Sequence, residues 1–113
     1  MTLLVNNDTF AVVNTERRVM VFNFSSPSQI VTFPPDEHKR MINKLVWHPE
    51  KADWLLTVSS DHQMKLFDKD PRAAVLTFSN SSAGYLDAKF AKWDTNAIAA
   101  AKENGEIEVI VCC

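Results

Sequence analysis

Apolar and polar residues alternate along this chain in short runs, each closed by residues that end strands or make turns. Ile42 to Trp47 is one such run, stopped by His48-Pro49, where proline has no amide hydrogen to give to a ladder. Trp54 to Val58 forms another. In Gln63-Met64-Lys65-Leu66-Phe67 the alternation predicts a strand with one face in a core. Ser59-Ser60-Asp61-His62 reads as the tight turn between these two strands. Ile30 to Phe33 and Ala74 to Phe78 are further short apolar strands. Only the Ala97 to Ala101 run favours helix, because alanine is the strongest helix former.

Laid against itself, the chain repeats. Glu16 to Asn23 falls on Asp61 to Asp68 at a displacement of 45 residues, and Ile30 to Phe33 falls on Val75 to Phe78 at the same displacement. A third copy follows at 43 residues, where Ile42, Leu45 and Trp47 meet Tyr85, Ala88 and Phe90, Leu55-Leu56 meets Ile98-Ala99, and Asp61 meets Asn104. The slip of two residues falls around Pro34-Pro35. A repeat of ~40 to 45 residues, each copy read as four strands, points to a propeller. The alignment places Ala97 to Ala101 on the strand of Trp54 to Val58, which overrules its helical propensity.

The middle copy carries His38, then Leu55-Leu56-Thr57-Val58-Ser59-Ser60-Asp61, then Leu66-Phe67-Asp68. In these residues the chain resembles the WD-repeat family of β-propellers, whose repeat has a His near its start, a turn Asp and a closing Trp-Asp. Phe67 departs from the usual Trp, and the flanking copies end Phe22-Asn23 and Ile110-Val111. The resemblance implies an all-β fold: an incomplete β-propeller of about two and a half four-stranded antiparallel blades over residues 1–113, with copies at 1–28, 29–72 and 73–113. It also implies a structural hydrogen-bond chain in which Asp61 holds His38 and His38 bonds a strand hydroxyl, Thr57 or Ser59. With Phe67 in the Trp position, that chain is expected to be one link short.

Glu37-His38-Lys39-Arg40, Ile42-Asn43-Lys44, Trp47-His48-Pro49, Met64 to Asp68, Leu76 to Ser79 and Glu103-Asn104-Gly105 occur in an order similar to the WD-repeat subunits of the GATOR subcomplex 2. That resemblance implies a non-enzymatic interaction scaffold. Its partners would be other subunits of that complex, its role the promotion of amino-acid signalling to the TOR kinase, and its place the cytoplasm or, through the complex, the lysosomal or vacuolar membrane. Family members are far longer and carry helical and zinc-binding modules. The start at Met1-Thr2-Leu3 inside a strand and the stop at Cys112-Cys113 therefore predict a truncated gene product or partial gene model. An open propeller exposes apolar sheet faces and strand edges, which predicts either poor solubility or assembly with copies of the chain or with a partner propeller.

Composition narrows the alternatives. At 113 residues there is room for one domain, and 46% apolar with 23% charged residues is a globular rather than a disordered balance. Twelve basic against fourteen acidic side chains, net −2, supply no broad positive field, so nucleic acid is not an expected partner. The start has no charged region leading into an apolar core, and no run approaches the ~20 apolar residues of a membrane span. With the two cysteines adjacent at Cys112-Cys113, no disulfide framework exists, and a soluble protein of a reducing, intracellular compartment is expected.

Other constellations have plainer readings. His38, Ser59 or Thr57, and Asp61 could form a hydrolase triad, but the repeat reads them as structural, and a small serine hydrolase is kept only as the alternative from another class. An unrelated WD-repeat scaffold binding histone or trafficking partners is the alternative within the class. His48, His62, Cys112 and Cys113 lack zinc-ligand spacing, so no metal or cofactor is expected. Lys39, Arg40, Lys44 and Lys51 lie near Trp47 and Trp54, but Glu37, Glu50 and Asp53 neutralise them. Glu103-Asn104-Gly105 reads as a hairpin turn, and the segments Asp68 to Arg72 and Ser79 to Ser82 as partner-contact loops.

Overall fold

The alternating runs form antiparallel strands that pair in chain order. A computed structural model describes residues 2–6, 9–13, 17–25, 30–32, 38–51, 54–68, 74–79, 81–92 and 96–111. Strands β1 (Thr2–Asn6), β2 (Thr9–Val13), β3 (Val19–Asn23) and β4 (Ile30–Thr32) make the first sheet. The middle sheet holds β5 (Ile42–Trp47), β6 (Leu55–Ser59), β7 (Met64–Phe67) and β8 (Leu76–Phe78). β9 (Tyr85–Phe90), β10 (Ala97–Lys102) and β11 (Ile107–Val111) make the third. Among the described residues there are three sheets, fewer than the ~4 to 8 blades of a closed ring, so this stretch makes an incomplete propeller.

Sheets and sequence copies are out of phase by one strand. β4 and β8, which open the second and third copies, pair with β3 and β7 of the copy before. Backbone hydrogen bonds therefore stitch each copy to its predecessor. The strand expected at Trp54 to Val58 begins instead at Leu55, because the Trp54 carbonyl accepts the His48 amide at 2.9 Å and closes the connection.

Matching bonds make the repeat visible in the backbone. Ser60 N donates to Met41 O at 3.0 Å, and Glu103 N, 43 residues on, donates to Gly84 O at 2.8 Å. The bond from His48 to Trp54 recurs from Ala91 N to Ala97 O at 3.0 Å. Ser59 N donates to Gln63 O as Lys102 N does to Glu106 O. Arg17, His62 and Gly105 occupy one slot of the tight turn, with φ of 64°, 71° and 87°; only the third copy has glycine where left-handed backbone favours it. The fixed displacement fails at β1, where Val5 faces Phe10 as Trp47 faces Leu55, since two residues join β1 to β2 where seven join β5 to β6.

The middle sheet is buried on both faces, and all five residues of β6 are buried. Leu45, Leu55 and Phe67 pack on Ala11, Val13 and Val19 of the first sheet. Leu56, Val58, Met64 and Leu66 pack on Tyr85, Ala88, Phe90 and Ile98 of the third. Each fully buried side chain of this kind is worth about 1.5 to 3 kcal/mol. The alanine-rich run is the central strand β10, paired on both sides, as the alignment predicts. Its small side chains cost little there, because two neighbouring strands satisfy its amides and tertiary packing outweighs intrinsic helix preference.

Gly84 sits at the joint between the middle and third sheets. A Cβ there would lie 2.8 Å from the Ser60 carbonyl and collide with the Glu103 carboxyl. Gly84→Ala is expected to destabilise the chain by about 1 to 3 kcal/mol, as overpacking does; an unchanged denaturation midpoint would show that the joint opens freely.

Candidate functional site

Asp61 is built into its position by the β6–β7 turn. Its Oδ1 accepts the Gln63 amide at 3.0 Å, and its own amide donates to Ser59 Oγ at 3.2 Å. That turn geometry leaves Oδ2 facing the segment that leads into β5. There it accepts the Lys39 amide and His38 Nδ1, both at 2.9 Å. On the far side of the ring, His38 Nε2 lies 2.5 Å from Thr57 Oγ1 in the middle of β6, and Thr57 Oγ1 donates to the Lys65 carbonyl at 3.3 Å. The chain Asp61–His38–Thr57–Lys65 thus ties the entry segment, the turn, β6 and β7 together. Arg17 Nε, in the bend that leads into β3, donates to the His38 carbonyl at 3.3 Å, so the same histidine also ties down the neighbouring blade.

Burial by itself would raise the carboxyl of Asp61. The Lys39 amide, the His38 charge and hydrogen bonds from His38 and Ser59 outweigh it and hold the group below its ordinary value. An ionised carboxylate can only accept, so the proton of the 2.9 Å contact is assigned to His38 Nδ1.

Of the two candidate hydroxyls, the structure puts Thr57 on His38. Ser59 lies elsewhere: its Oγ donates to Met41 O at 3.0 Å and to Arg40 O at 3.4 Å. His38, Thr57 and Ser59 are 1%, 0% and 0% exposed, so the hydroxyl, imidazole and carboxylate stand in triad order but beneath the surface. Phe67 is fully buried between Leu45 and Leu55 and brings no indole donor. Thr57 donates onward to the Lys65 carbonyl, an acceptor where an indole N–H would have been a donor, and no buried side-chain polar atom among the described residues lacks a partner.

A second polar set, absent from the sequence reading, lies between the middle and third sheets. Asn43 Nδ2 donates to Tyr85 O at 2.7 Å and to Ser60 Oγ at 2.8 Å, and Ser60 Oγ donates to Glu103 Oε2 at 3.0 Å. Deeper in, Tyr85 OH donates to Glu108 Oε1 at 2.8 Å, and Lys102 Nζ lies 3.6 Å from Glu108 Oε2. Burial, with the Glu108 carboxylate holding its proton, pushes the Tyr85 phenol up to about 12. The internal alignment held the signal: Ala100, Lys102 and Glu108 fall where the middle copy has Thr57, Ser59 and Lys65. The third sheet therefore lacks the hydroxyls of the histidine chain and carries a charged pair within itself at those positions, while Asn43 and Ser60 make the polar bonds across to it.

The remaining candidates are not brought together. His48 Nδ1 accepts the amides of Glu50 at 3.1 Å and Lys51 at 3.0 Å, so it caps its own loop. His62 lies in the β6–β7 turn, and Cys112 and Cys113 lie outside the described residues. Lys39 and Arg40 precede β5 while Lys51 follows it, with its ammonium 3.8 Å from the Trp54 ring centre, so the basic residues and tryptophans form no single patch. Residues 69–72 and Asn80 of the expected contact loops, with Glu37 and Asp53, also lie outside the described residues. The predicted Glu103-Asn104-Gly105 turn is present, with Glu106 N donating to Asn104 Oδ1 at 3.0 Å as Gln63 N does to Asp61.

Asp61→Ala should cost about 1 to 3 kcal/mol, because it leaves the His38 ring nitrogen and the Lys39 amide without their acceptor; a variant that unfolds at the wild-type denaturant midpoint would remove that role. The depressed carboxyl also sets a pH window. Its contribution is fully present above the unfolded-state value of about 4 and is lost as pH falls through the lower folded-state value. The stability gap between wild type and Asp61→Ala should therefore narrow below about pH 4, as followed by denaturation at stepped pH.

No family model matches the chain. GATOR2 complex protein WDR24 of Danio rerio is 34% identical over 110 residues, a match that covers 93% of this chain and 14% of that protein. The chain thus spans about one seventh of that relative's length. Among solved structures, the Cps50 (Swd1) β-propeller domain of Myceliophteria thermophila is similar at a TM-score of 0.81 and 16% identity, over 96% of this chain and 34% of that one. The C-terminal WD40 domain of Sif2 is similar at a TM-score of 0.75 and 15% identity, over 94% of this chain and 29% of that one. At such identities the two structures speak for the fold alone. The chain carries the WD-repeat β-propeller fold, as an incomplete propeller whose sequence is similar to that of GATOR2 complex protein WDR24.

Proposed function

We propose that the chain is a non-enzymatic protein-interaction scaffold that works as a GATOR2 subunit does, promoting amino-acid signalling to TOR complex 1. The observation that carries this reading is the 34% identity to WDR24 over 93% of the chain. The polar site supports it: its hydroxyls and imidazole are consumed in joining strands and are closed to substrate. In this reading the partners are the other GATOR2 subunits, and the chain reaches the lysosomal or vacuolar surface only through them. Among the described residues no helix is long and apolar enough to cross a membrane.

Affinity purification of the tagged chain from amino-acid-fed and starved cells tests the assignment, and recovery of GATOR2 subunits is the expected result. Histones or trafficking proteins in their place would turn the reading to an unrelated WD-repeat scaffold. The hydrolase alternative is tested by a serine-reactive phosphonate: Ser59 should stay unlabelled in the folded chain, since its Oγ is buried on the Met41 and Arg40 carbonyls.

A further inference from the structure

The chain of bonds Asp61–His38–Thr57–Lys65 needs one proton more than a neutral imidazole supplies. The ionised Asp61 carboxylate can only accept, so its 2.9 Å contact takes a hydrogen on His38 Nδ1. At the other end, Thr57 Oγ1 has a single proton, which goes to the Lys65 carbonyl at 3.3 Å. Toward the ring the hydroxyl is then an acceptor, and the 2.5 Å contact takes a second hydrogen on His38 Nε2. A neutral ring would instead draw the Thr57 proton onto Nε2. That turn takes the proton from the Lys65 carbonyl and leaves the buried hydroxyl oxygen without a donor among the described residues. An indole N–H would have filled the place, and Phe67 has none.

The charges around the ring permit a second proton. Asp61 from the β6–β7 turn touches the buried imidazole directly, and from the third sheet Glu103 reaches Ser60, the residue before Asp61. On the cationic side, Arg17 meets the His38 carbonyl, Lys39 and Arg40 follow it in its own segment, and His62 follows Asp61. All four are exposed, so water and salt screen them, whereas the Asp61 contact is sheltered. Lys65 of β7 meets the chain of bonds through its carbonyl.

We propose that His38 is an imidazolium in the folded chain, its second proton making to Thr57 the hydrogen bond that an indole would have made, and that this proton renders the joint sensitive to pH. The unfolded chain gives that proton up near pH ~6.5. The stability it supplies is therefore fully present below about pH 6.5 and is lost as pH rises and the folded ring deprotonates, the opposite sign to the Asp61 carboxylate. What loosens is the entry segment of β5 and, through the His38 carbonyl, its tie to Arg17 of the neighbouring blade. This inference does not rest on the GATOR2 reading.

Ring-nitrogen NMR of the full chain tests it at about pH 7.5, where a free histidine is about nine-tenths neutral. His38 is expected to show both nitrogens protonated. Thr57→Val removes the hydroxyl with little change of shape and should leave His38 with one proton, while Thr57→Ser, which keeps the hydroxyl, should keep both. Phe67→Trp restores the indole donor and should also give a singly protonated ring, with circular dichroism checking that each variant folds. In denaturation at stepped pH, the gap in midpoint between wild type and Thr57→Val should shrink as pH rises above about 6.5. A wild-type His38 with a bare Nε2 at that pH overturns the proposal. So does a Thr57→Val ring as protonated as the wild type's, or a midpoint gap that does not change with pH.

Discussion

A sheet that is apolar on both faces needs a cover on both sides, and the middle sheet of this chain is such a sheet. β6 buries every one of its five residues, so it is stable only between two neighbours. The first sheet covers the face of Leu55 and Phe67, and the third covers the face of Leu56 and Leu66. The alternating pattern that in a two-layer protein would separate core from solvent here separates one joint from the next.

Double burial also dictates where polar groups can be. Thr57 and Ser59 lie on β6 with no route to water, and their hydroxyls must find partners within the protein. Ser59 finds the Met41 and Arg40 carbonyls, and Thr57 finds His38 and the Lys65 carbonyl. His38 is held from its other side by Asp61, and its backbone takes a bond from Arg17. One chain of bonds therefore closes a blade and fastens it to the blade before. Between the middle and third sheets, Asn43, Ser60 and Glu103 at the rim and Tyr85, Glu108 and Lys102 below serve the same need with different chemistry.

The imidazole of His38, the hydroxyls of Thr57 and Ser59 and the carboxylate of Asp61 are all spent in joining strands. Repetition gives the blades a direction as well: each of the two joints matches one kind of face with its opposite.

Much of this was legible in the residues. The alternating runs, the repeat at 45 and 43 residues, and the assignment of Ala97 to Ala101 to a strand all followed from period and self-alignment, which report local geometry and burial parity. His38, Thr57, Ser59 and Asp61 were recognisable as a set. Tertiary structure decided which hydroxyl faces the imidazole, since Thr57 and Ser59 share one face of β6 and only the path of the entry segment separates them. It also decided that β4 and β8 pair across the copy boundary, that β1 departs from the fixed displacement, and that Lys102 and Glu108 meet in a joint. Those outcomes depend on how strands far apart in the chain approach one another, which a one-dimensional pattern of apolar positions does not encode.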